Sequence, residues 1–301
     1  MIHLFALLSL LLCGVCYTGF QNSSHFHNTS NRRSLLLLVF GGALLLRLLL
    51  AYTTHGFSND IACFAAWADR IFTLGPGQFY SAEMFTDYPP GFMYVLYLIG
   101  ALRSLLQIPY YSDLHILLLK LPAILCDIAC GFLLYREAVK RLHFSDLQGI
   151  FAASAYLFQP AVILNSSCWG QVDSVYTLMI ILMCLFLMKG NLLPAYAVYG
   201  LGVLLKPQML IFTPVLLAGI WDHVFLQDFS WRKFFYNLCG GLVVICGMLL
   251  LCAPFGLTAA ISQYTSTLGS YEYAAINAYN FWGLLGMNWV DQNTIFLFLP
   301  C

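Results

Sequence analysis

Residues 55–91 place four carboxylates and a cation among aromatic rings in a chain that is otherwise nearly all lipid-soluble. They read HGFSNDIACFAAWADRIFTLGPGQFYSAEMFTDYPPG and include Asp60, Asp69, Glu83 and Asp87, with Arg70 as a cation and His55 as a second titratable base. A connector between two membrane helices needs only a few residues, so a polar loop of this length is expected to hold a ligand or do chemistry at the membrane surface. Asp60 is the candidate general base. On a helix it shares a face with Trp67 two turns on, with Asp69 and Arg70 to the side. The competing reading of Asp60 is a helix N-cap or a solvated loop acid; Asp69 and Arg70 read as a surface pair. Glu83 and Asp87 offer oxygen ligands of the kind a divalent cation takes, which makes a divalent cation the one cofactor suggested, on a thin ligand set.

Further polar motifs punctuate the apolar sequence. Asp87-Tyr88-Pro89-Pro90-Gly91 stops one element and sets the entry angle of the next, because proline fixes φ and removes a donor. Lys120 and Asp127, seven residues apart in an apolar run, fall on one helix face, and charges at that depth are expected to find partners on other helices. Trp169-Gly170-Gln171-Val172-Asp173 joins two runs with almost no spacer; an aromatic face beside an amide and a carboxylate suits a carbohydrate, while Asp173 could simply cap the next helix. In Lys206-Pro207-Gln208 the proline breaks a helix, and Lys206 is placed either to meet a phosphate as a point charge or to snorkel to the interface. Two more polar stretches, Ser262 to Thr265 and Asn277 to Asn280, follow.

The elements that must position these groups are membrane helices. The chain is 61% apolar and 9% charged, and several continuous runs approach or exceed the roughly 18 residues that cross a bilayer. Continuous rather than alternating runs argue against a β-barrel, and zero net charge gives no basic field for nucleic acid. The expected segments are 2–19, 34–52, 91–108, 113–135, 148–164, 174–188, 192–205, 208–221 and 237–255. Basic clusters at Arg32/Arg33, Arg136/Lys140/Arg141, Lys189 and Arg232/Lys233 belong on the cytoplasmic side. They all reach it only if one early segment does not cross. Segment 91–108, which opens on prolines and carries Arg103, is the one expected to lie in the interface. The polar motifs then share the outer face.

Other chemistries find little support. The 11 cysteines are scattered and odd in number, which argues for packing over a disulfide framework, and Cys126 with Cys130 has no histidine partner for a metal. There is no Gly-rich phosphate loop and no Ser/His/Asp set, and the three N-x-S/T matches at Asn22, Asn28 and Asn165 carry no weight. Segment 2–19 lacks a basic n-region and is expected to be an extra anchor rather than a cleaved signal. The chain stops at the start of an apolar run, 294–299, so a longer natural protein is expected.

Taken in order, Arg47, Asp60 with Trp67, Asp87 to Gly91, Lys120-Leu121-Pro122 with Asp127, Asn165 to Asp173, Lys206-Pro207-Gln208, and Asn277 to Trp282 resemble the GT-C superfamily of polyprenyl-phosphate-sugar-dependent glycosyltransferases. The nearest resemblance is to bacterial proteins related to the second mannosyltransferase of GPI-anchor assembly, and it covers residues 34–290. It implies an all-α polytopic membrane protein with a GT-C-like helical bundle and a long first outer loop holding membrane-lying helices. Residues 1–33 would be an anchor and linker and 34–301 the transmembrane domain. It implies an inverting hexosyltransferase, a mannosyltransferase by preference, in the bacterial cytoplasmic membrane with its active site outside. Its partners would be a lipid-linked sugar donor and a glycan or lipid-linked acceptor. Asp60 would be catalytic, with Asp87, Tyr88, Trp169, Gln171, Asp173, Lys206, Gln208, Asn277 and Asn280 binding substrate, and positive charge for the leaving phosphate would come from Lys206, His55, Arg103 or a metal. Family members run longer, and their later loops often help to bind the donor phosphate. A secondary transporter and a non-catalytic membrane subunit are the alternatives.

Overall fold

The computed structural model describes residues 11, 14, 17, 18, 32–80, 85–227, 229–269, 272–275, 281–291, 293, 295, 296, 299 and 300. Segment 2–19, Glu83, Asn277 and Asn280 lie wholly or mostly outside the described residues. The helices are α1 (Arg32–Thr53), α2 (Ser58–Leu74), α3 (Pro90–Leu105), α4 (Asp113–Lys140), α5 (Asp146–Leu157), α6 (Pro160–Trp169), α7 (Asp173–Met188), α8 (Leu192–Leu205), α9 (Pro207–Leu226), α10 (Trp231–Cys252), α11 (Leu257–Gly269) and α12 (Phe281–Leu284). Where the sequence suggested a further apolar span at 294–299, the described residues form a two-residue antiparallel pair, β1 (Ile295–Phe296) and β2 (Leu299–Pro300).

The protein is an all-α polytopic membrane protein. α1, α4, α9 and α10 are each long and apolar enough to cross a bilayer, α5 with α6 does so as a bent pair, and α3, α7 and α8 are shorter apolar helices. The bend corrects the single span expected over 148–164. It measures 51° and falls at Gln159-Pro160: proline has no N–H to give, and it drives the preceding residue extended (Gln159 ψ 119).

The bundle has two chemically distinct ends. At one end Arg32 pairs with Asp146 at 3.1 Å, Arg141 donates to the Met188 carbonyl at 3.1 Å, Lys189 lies 3.9 Å from Glu137, and His223 Nε2 donates to the Leu187 carbonyl at 2.7 Å. Arg232 and Lys233 open α10 at the same end. The opposite end gathers the start of α2, the start of α3, the 165–173 corner and Lys206.

α2 and α3 run side by side in the same direction: Phe64 packs on Phe92 with centroids 5.6 Å apart, and Asp69 pairs with Arg103. This corrects the expected Asp69–Arg70 pair, since Arg70 donates instead to the Phe79 and Gln78 carbonyls at 3.0 and 3.1 Å. α3 lies across this end of the bundle. Its first turns meet the last turns of α8 and α10, with Tyr94 donating to the Leu251 carbonyl at 2.8 Å, and its last turn sits over Tyr110 at the approach to α4. The contact is tight at Gly91, where an added Cβ would stand 2.5 Å from the Leu204 carbonyl oxygen. Backbone cannot yield as a side chain can, so Gly91→Val is expected to cost about 1–3 kcal/mol, read as a lowered unfolding midpoint in detergent.

Between the two ends lies a buried polar knot. Asp127 accepts from Arg47 Nε at 3.2 Å, Ser166 Oγ at 2.6 Å, Ser174 Oγ at 2.5 Å and Tyr156 Oη at 3.2 Å, and both Arg47 and Asp127 are fully buried. Among the described residues Lys120 does not share this knot and pairs with no acid. Its ammonium donates to the Ala51 carbonyl (3.2 Å), the Thr54 carbonyl (2.7 Å) and Thr54 Oγ1 (3.1 Å). There it satisfies carbonyls left open at the end of α1, where a cation is favoured.

Candidate functional site

Asp60 sits in the first turn of α2, but the cap position is Phe57, and no side chain caps the helix. Its carboxylate points instead to the 165–173 corner. Trp169 Nε1 donates to Asp60 Oδ2 at 3.0 Å and Gln171 Nε2 to the same oxygen at 2.5 Å. Oδ1 accepts no hydrogen bond among the described residues.

That corner is a product of local backbone chemistry. Residues Leu164–Trp169 wind as a π-turn that ends at Gly170 with φ +89. A Cβ at Gly170 would come within 2.5 Å of Ile61 Cδ1, so both the left-handed backbone and the close approach to α2 require glycine. The corner is braced from α1 and the chain after it. Phe57 N donates to the Trp169 carbonyl at 2.9 Å, Thr54 Oγ1 to the Ser167 carbonyl at 3.3 Å, and the Phe57 and Trp169 rings stack 4.9 Å apart.

Asp60 lines a cleft of about 710 Å³. Gln171, Asp87, Tyr88, Lys206 and Gln208 line it too, so the structure brings together residues 60, 87, 88, 171, 206 and 208 of those singled out by sequence. Tyr88 is buried against Phe64, Trp67 and Phe92, and its hydroxyl donates to Gln171 Oε1 at 3.4 Å. Trp67 fills the wall beneath and donates from Nε1 to the Phe85 carbonyl at 3.0 Å. From α11, Gln263 donates to the Thr86 carbonyl and accepts from Thr86 Oγ1 at 3.3 Å, which fixes the strand of chain carrying Asp87.

Two expected lining residues stand one step back. Trp169 supports Asp60 rather than walling the cleft, and Asp173 forms an ion pair with Lys206 and accepts from Asn165 Nδ2 at 3.0 Å. Asp173 is not the cap of α7, because Val172 holds that position and no side-chain cap bond forms. Lys206 does not snorkel: it is 9% exposed, and its ammonium lies 5.7 and 5.6 Å from the ring centres of Tyr88 and Tyr176. Two other candidate cations are placed elsewhere. His55 lies 3.6 Å from Asp113 in an exposed pair, and Arg103 is held by Asp69 at the far end of α3.

Cys63, Phe85, Leu210, Ile211 and Thr267 also line the cleft and carry no signal in the sequence beyond ordinary packing or loop types. Burial, with Asp87 and Asp60 nearby, holds the Cys63 thiol above its usual range, so it stays protonated. Among the described residues no three His, Cys, Asp or Glu side chains gather; Asp87 lines the cleft, and Glu83, its suggested partner for a divalent cation, lies outside the described residues.

Comparison with protein-family models finds no match to this chain, and comparison with curated proteins finds none either.

Proposed function

We propose that this chain is a glycosyltransferase that moves a sugar, mannose by the family resemblance, from a polyprenyl-phosphate donor to an acceptor hydroxyl, with inversion at the anomeric carbon. The observation that carries the reading is Asp60: one carboxylate oxygen is held by two donors from a distant corner while the residue faces a sugar-sized cleft at one end of a membrane bundle.

In this reading Asp60 Oδ1 accepts the proton of the acceptor hydroxyl as its oxygen bonds to the anomeric carbon. The bond from that carbon to the phosphate oxygen breaks, and the electron pair leaves with the polyprenyl phosphate. A phosphate needs no general acid to leave; it needs compensating charge. Lys206 supplies it by exchanging part of its contact with Asp173 for the phosphate. Gln171, Tyr88 and Asp87 orient hydroxyls, and the exposed Leu210 and Ile211 form the greasy side of the cleft by which a prenyl chain approaches from the bilayer. The basic residues at the opposite end of the bundle support a site on the non-cytoplasmic face, because such clusters are retained in the cytoplasm; a bacterial cytoplasmic membrane is what the family resemblance implies.

The test is direct. Purified full chain in nanodiscs, given short-chain polyprenyl-phosphate mannose and an oligosaccharide acceptor, is expected to release polyprenyl phosphate and extend the acceptor. A folded protein that neither binds nor turns over any polyprenyl-phosphate hexose would remove the proposal. The bend between α5 and α6 is also the kind of broken helix found at transport sites. A transporter would carry solute across vesicles with no lipid-linked donor present, and that result would select the second reading.

A further inference from the structure

A second cavity shares no lining residue with the Asp60 cleft. α9 and α10 both pack on α8 but splay from each other, leaving a slot of about 390 Å³. Its floor is Tyr196 and Gly200 of α8; its walls include Ile220 of α9 and Gly241 and Ile245 of α10. The polar groups that touch it are satisfied within the protein. Tyr196 Oη donates to Asn237 Oδ1 at 3.4 Å, and Tyr199 Oη pairs with Thr213 Oγ1 at 2.5 Å. What the slot offers a guest is therefore carbon.

Its shape selects among apolar guests. The lining stretch of α10 from Phe234 to Met248 spans about 21 Å of helix. A transmembrane helix about 10 Å across would displace roughly 1,600 Å³ over that length, more than the slot holds, whereas a single extended hydrocarbon chain is thin enough to lie in it. The slot opens to the surroundings, since Leu242 and Ile245 of its wall are each 53% exposed on a helix that is long and apolar enough to cross a bilayer and is little buried within the protein. At the basic end Phe225 closes against Phe234 with centroids 6.1 Å apart. Exposed Trp221 and Trp231 stand beside them as an interfacial belt does.

We infer that this slot binds one acyl chain of a bilayer phospholipid, entered from the leaflet at the basic end with its headgroup level with Trp221 and Trp231. An empty slot would leave its lining atoms without dispersion partners, and the chain supplies them where lipid is the solvent. The inference stands apart from the sugar-transfer reading, because neither its residues nor its test involve the Asp60 cleft.

Two glycines on α10 make the test. Added Cβ atoms at Gly241 and at Gly247 both meet nothing within 4 Å, but only Gly241 lines the slot. The full chain is reconstituted in vesicles containing phosphatidylcholine with a diazirine-bearing palmitoyl chain, irradiated and mapped by peptide mass spectrometry. Label is expected to concentrate on peptides of α8 and α10 over the equally lipid-facing α1. Gly241→Phe is expected to lower it at least about fivefold by filling the space, and Gly247→Phe to leave it unchanged. Gly241→Leu, a smaller filler, is measured alongside and should show a lesser drop. Equal labelling in the Gly241 and Gly247 variants, or slot labelling no greater than that of α1, overturns the inference. So does a change of oligomeric state confined to the Gly241 variants, which would assign the slot to a second copy of the chain.

Discussion

Asp60→Asn is expected to lower sugar transfer by about 10²–10⁴-fold with little change in donor KM, the span a positioned general base contributes. The geometry makes this substitution informative. Asn keeps the shape of Asp and one carbonyl oxygen with two lone pairs, so it can still receive both hydrogen bonds, from Trp169 and Gln171, that now converge on Oδ2. What it loses is the ability to take a proton. The cleft wall of Trp67, Phe64 and Tyr88 does not depend on the carboxylate, so the variant should fold and bind donor. The measurement is kcat and KM for hexose release from the polyprenyl-phosphate donor, with unfolding midpoints compared. If turnover stays within a few-fold of the parent chain, Asp60 is not the base. Lys206→Met gives a contrasting pattern. Under the proposed reaction it would leave the base intact but strip charge from the leaving phosphate and deprive Asp173 of its cation, so kcat and donor affinity should fall together.

The parts of this site that were legible in the sequence are those where polarity is costly. In an apolar chain, Asp60, Gln171 and Lys206 stand out because membrane burial of such groups is penalised unless they serve a purpose. The helix breaks at Lys206-Pro207 and before Pro90 were equally plain, since proline acts locally. Partnerships were not legible. Asp69 lies beside Arg70 in sequence yet pairs with Arg103, 34 residues on, and Asp173 stands where a cap would be yet is drawn to Lys206. Both choices follow from helix directions that no local pattern encodes: α2 and α3 run parallel, and α7 and α8 meet at one end of the bundle. Cys63, Leu210 and Ile211 were invisible for the opposite reason, because an apolar residue lining a cleft looks like one lining a core. The bend at Gln159-Pro160 was missed because the hydropathy of 148–164 is continuous across it, although Pro160 was there to be read.

Asp127→Ala is expected to cost about 3–5 kcal/mol, because it leaves the Arg47 guanidinium charged and unpaired at zero exposure. Arg47 would keep its bonds to the Ala43 and Leu157 carbonyls, at 3.2 and 2.7 Å, but no counter-charge. A double replacement, Arg47→Met with Asp127→Leu, removes both charges and should recover part of the loss. It should not recover all of it, since Ser166, Ser174 and Tyr156 lose their shared acceptor, and each buried donor left unmet costs about 1–3 kcal/mol. The cycle is read by denaturant unfolding in mixed micelles. A single-variant cost below about 1 kcal/mol would show that the knot adds little to stability. The same variants connect the knot to the cleft. Ser166 and Ser174 bracket the corner that carries Trp169 and Gln171, so Asp127 holds both ends of the segment that in turn holds Asp60. Ser174→Ala, which frees only one end and leaves the ion pair intact, should therefore lower kcat more than it lowers stability. A deeply buried carboxylate that never touches substrate would then be setting the position of the one that does.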